Sequence, residues 1–185
     1  MNRIFFVFAT FAVVFIVATL IIGLSLGEIN LQASPETLIW ARVHRLAGIF
    51  SAVAVVFVDS IVVTYFIGTS RWVKEVAEAY KLDRSFIVRS TLLKRRTFPY
   101  ALISMLTVVG VIALGGAADP AAALRLQPIA GVTWSQLHLG GAIGGLFLIA
   151  WLFFLQWSSL LENQQIIQDV TAEVRRIRLE KGLEV

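Results

Sequence analysis

The chain has 185 residues, of which 58% are hydrophobic and 15% charged, and its mean hydropathy is +0.81. A soluble domain is about half apolar and about a quarter charged, so this composition excludes a soluble enzyme, a disordered chain and a fibrous repeat. Cysteine is absent, which excludes disulfides and thiolate metal sites. The net charge of +4 comes from basic residues placed between apolar runs, a pattern typical of membrane topology rather than nucleic-acid binding.

Four apolar runs are long enough to cross a bilayer as helices, for which about 20 residues are needed. They are Ile4–Leu26, Ala41–Ile67, Pro99–Ala118 and Gln136–Leu160. The first run is longer than the core of a signal peptide, so we expect a helix that is retained. The sequence therefore predicts an all-α, integral membrane four-helix bundle over residues 1–160.

Basic residues are divided unequally between the two sides of such a bundle. Thirteen lie in Thr69–Phe98, after Leu160 or at Arg3, and the other side has only three: Arg42, Arg45 and Arg125. Because Lys and Arg are enriched in cytoplasmic loops, we expect both termini and the long middle loop to be cytoplasmic. The expected location is the plasma membrane of a prokaryote.

Two segments outside the predicted spans have apolar residues at helical spacing. In the middle loop, residues 71–82 are predicted to form an amphipathic interfacial helix. Residues 161–185 are predicted to form a cytoplasmic helical tail that continues the fourth helix or lies on a neighbour. A solvated extension is favoured over a dedicated partner site for this tail.

The four spans resemble two copies of one helical hairpin. The segment from Trp40 through His44 aligns with the segment from Trp134 through His138 at a constant offset of 94 residues. Each copy has Trp four residues before His and a small residue three after it. These are the only two histidines of the chain. The repeat predicts a pseudo-two-fold axis along the membrane normal and places both histidines at the same depth, near the outer ends of parallel helices.

Two imidazoles related in this way can supply both axial ligands of a low-spin haem b, so His44 and His138 are the candidate metal ligands. Positions three, four, seven and eight after each histidine share its helix face, and seven of the eight are small, which would leave a slot for a porphyrin. They are Ala47, Gly48, Ser51, Ala52, Gly141, Ala142, Gly145 and Leu146. Arg42 and Arg45 are expected to neutralise the propionates.

The same pattern has other interpretations. Small residues at four-residue spacing also serve plain helix packing, and a histidine pair can bind another metal or relay protons. Asp59 is the only carboxylate within a span and lies about 22 Å from His44 along the helix axis. It is interpreted either as a functional group or as a hydrogen-bonding partner of Ser60, Thr64 or Ser104. No catalytic residue is assigned.

Short motifs of the chain resemble the haem A synthase family. They are His44-Arg45-Leu46-Ala47-Gly48, Leu137-His138-Leu139-Gly140, Leu20-Ile21-Ile22-Gly23 and the glycine-rich stretch from Val109 to Gly116. Those enzymes are usually eight-helix proteins made of two four-helix halves, each with a histidine pair, and this chain resembles one half from about Ile4 to Leu160. The resemblance implies a haem between the second and fourth helices, near the outer surface.

The chain departs from the active half of that family at two places. The family's glutamate three residues before the first histidine is replaced by Ala41, and the outer-loop cysteine pair is missing. The chain is therefore more similar to the half that holds a bis-histidine haem b as a cofactor.

Three functions are compatible with these observations. The leading one is a bis-histidine haem b protein that transfers electrons or is an accessory subunit of a larger redox complex. The alternatives are a half-sized haem A synthase and a haem-free structural or assembly subunit. The expected partners are the lipid bilayer and either other membrane subunits or a second copy of the chain, and no nucleic acid.

Overall fold

The computed structural model describes residues 1–27, 33–122 and 126–183. Four α-helices follow one another along the chain: α1 (Asn2–Leu26), α2 (Pro35–Tyr80), α3 (Ser85–Ala118) and α4 (Trp134–Glu180). All four are long and apolar enough to cross a membrane. Within the described residues, the only β-type pairing is an isolated bridge between Ile129 and Val132. The predicted all-α membrane bundle is confirmed.

The helices form an antiparallel bundle in which each packs against its neighbour in the chain and α4 packs against α1. α2 and α4 also meet across the diagonal, so α1 and α3 lie on opposite sides of this central pair. We call the end where α2 and α4 begin the histidine end. The opposite end, which holds Met1, the α2–α3 turn and the end of α4, is called the terminal end.

Local sequence signals fix where α2 and α4 begin. The Ser34 hydroxyl accepts a hydrogen bond from the Thr37 backbone N–H, and Pro35 occupies the first turn, where a missing N–H costs nothing. Thr133 and Gln136 form a capping box at the start of α4. Both caps lie shortly before the histidine of their helix and set its register at the histidine end.

α2, α3 and α4 are much longer than a bilayer requires. At a rise of about 1.5 Å per residue, α2 and α4 extend roughly 70 Å, whereas α1 extends roughly 37 Å. Asn2 at the start of α1 donates a hydrogen bond to Gln164 at 2.6 Å, so α4 continues well beyond α1. The chain therefore consists of a four-helix part and a three-helix part at the terminal end, which we call the extension.

The extension differs from the interfacial helix expected over residues 71–82. Those residues continue α2 without a break until Tyr80, and Lys81 ends the helix in the left-handed conformation with φ 55°. Val73 and Ala77 are buried, and Val73 belongs to the same apolar core as Leu93 and Ile166. The apolar stripe that was predicted to lie on a membrane surface therefore faces α3 and α4. Each of the three helices has an apolar stripe in the extension, and the three stripes bury one another.

The predicted tail also continues its helix, as α4 runs to Glu180. Its apolar stripe is buried in the extension, since Ile166 and Val170 are both 0% exposed. On the surface, Arg89 pairs with Asp169 at 3.1 Å and joins α3 to α4. Residues 184 and 185 of the predicted tail lie outside the described residues.

The turn between α2 and α3 is held by Asp83, whose Oδ1 accepts a hydrogen bond from the Ser85 backbone N–H at 2.7 Å. Hydrogen bonds from the Ser85 side chain and backbone lower the pKa of this exposed carboxyl. α3 begins directly after this turn, so Pro99, where the predicted span started, lies inside the helix. Pro99 has no N–H to donate to the Arg95 carbonyl, which interrupts the hydrogen-bond ladder of α3 once.

We expect Ile166→Ala to destabilise the extension by about 2–4 kcal/mol, because it removes a fully buried side chain and leaves a cavity. Leu179→Ala is the control, since Leu179 is 60% exposed on the same helix and should change stability by less than about 0.5 kcal/mol. Denaturant unfolding of the full chain in detergent, followed by circular dichroism, measures both. Equal losses in the two variants would contradict the packed extension.

Candidate functional site

The two histidines meet at the histidine end of the bundle. His44 on α2 and His138 on α4 have ring centroids 6.2 Å apart, with ring planes at 77° to each other. Both side chains are half-buried. The diagonal contact between α2 and α4 therefore brings the only two imidazoles of the chain together at one depth, as the sequence repeat predicts.

Each imidazole is oriented by a backbone carbonyl of the preceding helix. His44 Nδ1 lies 3.1 Å from the Thr19 carbonyl oxygen on α1, and His138 Nδ1 lies 3.2 Å from the Val111 carbonyl oxygen on α3. A carbonyl oxygen only accepts, so Nδ1 carries the proton in both rings and Nε2 has a free lone pair. Metal-binding histidines commonly have this arrangement, in which the second nitrogen fixes the ring.

Two glycines make these hydrogen bonds possible. The helical partners of the Thr19 and Val111 carbonyls are the N–H groups four residues later, at Gly23 and Gly115. A Cβ atom on Gly23 would lie 2.8 Å from His44 Cε1, and one on Gly115 would lie 3.0 Å from His138 Cε1. Any side chain at either position would meet the imidazole, so glycine gives the ring access to the helix backbone.

The pseudo-two-fold symmetry thus extends to α1 and α3. Each hairpin supplies one histidine, one carbonyl acceptor and one glycine under the ring. The repeat alignment missed the carbonyls and the role of the glycines. One reason is that Thr19 precedes its histidine by 25 residues, whereas Val111 precedes its histidine by 27. The loops of the two hairpins differ in length, so a constant offset of 94 residues does not align Thr19 with Val111. The other is that a carbonyl acceptor has no residue-type signature.

The donor set fits a metal ion held between two imidazoles. Two rings bound on opposite sides of one ion, with metal–nitrogen bonds of about 2 Å, have centroids roughly 6 Å apart. The observed 6.2 Å agrees with this. Among the described residues there is no group of three or more His, Cys, Asp or Glu side chains that could hold a metal. Two imidazoles supply two ligands, which is the number that a bis-histidine haem takes from its protein.

The small residues that were predicted to form a porphyrin slot lie at helix–helix contacts. A Cβ on Gly141 would be 2.6 Å from Leu114 Cδ1, and one on Gly145 would be 2.9 Å from Val111 Cγ2. Both glycines therefore let α3 approach α4, as the packing interpretation requires. The close approach also serves the histidine site, because it brings the Val111 carbonyl within reach of His138.

The matching residues of α2 contact α1. Ser51 is buried, and its Oγ lies 3.1 Å from Thr19 Oγ1 while also donating to the Ala47 carbonyl. A Cβ on Gly48 would be at ordinary contact distance from Thr19 Cγ2, at 3.9 Å. Ala52 is also buried, whereas Ala142 is half-buried. The role of these residues at a porphyrin edge stays a prediction.

Of the two arginines expected at the propionates, one already has a partner. Arg45 Nη1 donates to Asp119 Oδ2 at 2.6 Å, which connects α2 to the residue that follows α3. The same carboxylate accepts a hydrogen bond from the Ala121 N–H. Arg42 is exposed at the start of α2. Arg125, which the sequence also predicts on this side, lies outside the described residues.

Asp59 lies far from the histidines, in the half of the bundle nearer the terminal end. It is fully buried, and its Oδ1 accepts a hydrogen bond from Gln156 Nε2 on α4 at 2.8 Å. The hydroxyl groups predicted as partners of Asp59 form no hydrogen bond with it among the described residues, and Gln156 was not predicted. Periodicity places Gln156 on the buried face of α4, but it does not tell which residue of α2 this face meets.

Comparison of the chain with models of known families, with curated proteins and with solved structures gives no match. The resemblance to haem A synthases stays a prediction from the short motifs around His44 and His138 and the glycines before them.

Proposed function

We propose that the chain is a membrane-embedded bis-histidine haem b protein that transfers electrons or serves as an accessory subunit of a larger redox complex. The paired imidazoles carry this proposal, because both rings present a free Nε2 while Nδ1 is held by a carbonyl. The distance of 6.2 Å between their centroids is close to the value expected if both rings held one metal ion. When bound, haem supplies one-electron redox chemistry in a protein environment that tunes its potential.

The residues of the chain have distinct tasks in this proposal. His44 and His138 would be the axial ligands, and the Thr19 and Val111 carbonyls would fix the ring orientation and raise the basicity of Nε2. Arg42 would balance the charge of the propionates. Arg45 would do the same if it exchanged its partner Asp119 for a propionate. If His44 and His138 both hold the haem, neither would leave its place to a substrate, which favours electron transfer over catalysis.

The alternative of a half-sized haem A synthase has less support. Ala41, which stands where the active half of that family has glutamate, is 8% exposed and lies one turn before His44. A methyl group cannot exchange protons or polarise a substrate at this position. The third alternative, a haem-free structural subunit, is supported by the contacts of Gly141 and Gly145 with α3, which need no cofactor.

We further propose that both termini and the extension are on the cytoplasmic side of a prokaryotic plasma membrane. The thirteen-to-three distribution of basic residues supports this orientation. The extension requires an aqueous phase, because ion pairs such as Arg89–Asp169 and Arg71–Glu75 lie on its surface. The bilayer and further membrane subunits, or a second copy of the chain, are the proposed partners.

We expect His44→Ala and His138→Ala each to abolish the low-spin b-type absorption spectrum, because the chain has no other imidazole and no cysteine to replace a lost ligand. The two variants should behave alike, since their second nitrogens have equivalent partners. Reduced-minus-oxidised spectra of protein purified after expression with haem supply measure this. Ser60→Ala is the control, as Ser60 is exposed and remote from the rings.

An unchanged spectrum in either histidine variant would disprove ligation by the pair. A wild-type chain that folds but never takes up haem would favour the structural subunit. Conversion of haem O to haem A by the purified protein would favour the synthase.

A second prediction concerns the glycines under the rings. Gly23→Ala and Gly115→Ala should displace the imidazoles and weaken haem binding by about 1–3 kcal/mol, the usual cost of overpacking. Gly110→Ala and Gly116→Ala are matched controls on α3, because nothing lies within 4 Å of the added Cβ. Haem titration of the four variants measures the difference. Equal affinities across all four would show that the rings do not need this access to the backbone.

A third prediction concerns orientation. Because the chain has no cysteine, single cysteines can be introduced as topology markers. We expect a membrane-impermeant maleimide to label Gln127→Cys in intact cells and to label Lys81→Cys only after lysis. Labelling of Lys81→Cys in intact cells, with Gln127→Cys protected, would reverse the proposed orientation.

A further inference from the structure

A set of buried polar side chains lies between α2, α3 and α4, from the middle of the bundle towards the terminal end. The three on α3 (Ser90, Thr97 and Ser104) are seven residues apart, and the three on α4 (Gln156, Ser159 and Asn163) are three and four residues apart. The two on α2 (Asp59 and Ser70) are eleven residues apart. These spacings put the polar residues of each helix on one face of that helix. None of them is more than 7% exposed: Asp59, Ser70, Ser90, Thr97, Ser104, Gln156, Ser159 and Asn163. Three polar stripes thus face one common interior.

Asp59 lies at the end of these stripes that is nearer the histidine end of the bundle. Its Oδ1 is hydrogen-bonded to Gln156, but its Oδ2 has no partner among the described residues. The Ser104 hydroxyl faces the same carboxyl group without reaching hydrogen-bonding geometry, and Gln156 Oε1 is also unpartnered. No charged side chain is paired with Asp59 in the described part of the chain. α1 contributes the apolar Phe5, which packs against Phe153 of α4.

A buried carboxyl in such surroundings favours its neutral, protonated form. A carboxylate is strongly destabilised within a membrane unless a cation or several donors compensate it, and Gln156 supplies one uncharged donor. Protonation removes the charge and adds an O–H donor. The three unpartnered oxygens of Asp59, Ser104 and Gln156 then form a suitable set of partners for an internal water molecule.

Unpartnered polar atoms recur along the interior as far as the extension. Asn163 donates to Thr69 Oγ1 at 3.1 Å, but its Oδ1 has no partner in the described residues, and neither does Ser90 Oγ. Ser104 and Ser90 are separated by fourteen residues of α3, which is about 21 Å. Buried apolar side chains such as Leu160 lie among the polar ones, so internal waters would form a single file rather than fill an open channel.

We propose that Asp59 is an internal proton-binding site, and that the polar stripes hold a file of water molecules through which its proton exchanges with the aqueous phase at the terminal end. The ligands are a proton and water, and the step is the transfer of a proton between a water molecule and the Asp59 carboxyl oxygen. This inference is independent of haem binding, because it concerns the other half of the bundle.

Infrared spectroscopy of the full chain in lipid vesicles tests the proposal. We expect a C=O stretching band of a protonated carboxylic acid at neutral pH that is absent in Asp59→Asn. On transfer to D2O, this band should shift as the proton exchanges. Thr97→Val and Asn163→Leu keep the side-chain shape while removing polar atoms from the file, and each should slow the exchange at least tenfold.

Ser60→Ala is the matched control, since Ser60 adjoins Asp59 in the chain but is exposed outside the bundle, and its exchange rate should equal that of the wild type. A missing Asp59-dependent band would overturn the proton site, and unchanged exchange in Thr97→Val and Asn163→Leu would overturn the water file. Circular dichroism verifies folding. If either variant loses helicity, Ser90→Ala and Ser159→Ala replace it, with the same expected slowing and the same contradicting result.

Discussion

The histidine end of the bundle depends on a hydrogen bond between an imidazole N–H and a helix carbonyl that already has a partner in its own helix. Such a carbonyl has a second lone pair, but a side chain four residues later normally covers it. Glycine at that position removes the obstacle, and the chain uses this solution twice, at Gly23 and Gly115. The ring orientation and the free Nε2 atoms follow from it, and the proposal of haem binding rests on both.

Close helix packing is a condition for the same arrangement. The imidazole reaches the carbonyl only where α1 approaches α2 and α3 approaches α4, and small residues such as Ser51 and Gly145 permit that approach. From the sequence alone, a porphyrin slot and plain helix packing are competing explanations of the small residues that follow each histidine. In the structure, the packing contacts of Gly145 with Val111 also support the ligand geometry.

The sequence was sufficient for features that depend on periodicity and hydropathy. The four spans follow from the length of the apolar runs, and the meeting of His44 with His138 follows from the repeat. It was insufficient where the partner of a face had to be known. The stripe around Val73 is equally suited to a membrane surface and to two other helices, and only the fold shows that it faces Leu93 and Ile166. Pairs such as Asp59 with Gln156 join residues 97 positions apart, and no local pattern indicates them.

The uninterrupted length of α2 and α4 has a mechanical consequence. An α-helix is stiff along its axis, and about 54 Å of continuous helix separates His44 from Tyr80. A small tilt of either helix at the imidazoles is therefore amplified into a larger displacement at the far tip, as in a lever. α3 is the exception, because Pro99 omits one hydrogen bond and gives that helix a point of lower bending stiffness. A movement of the terminal end would therefore bend α3 near Pro99 more readily than it would bend α2 or α4.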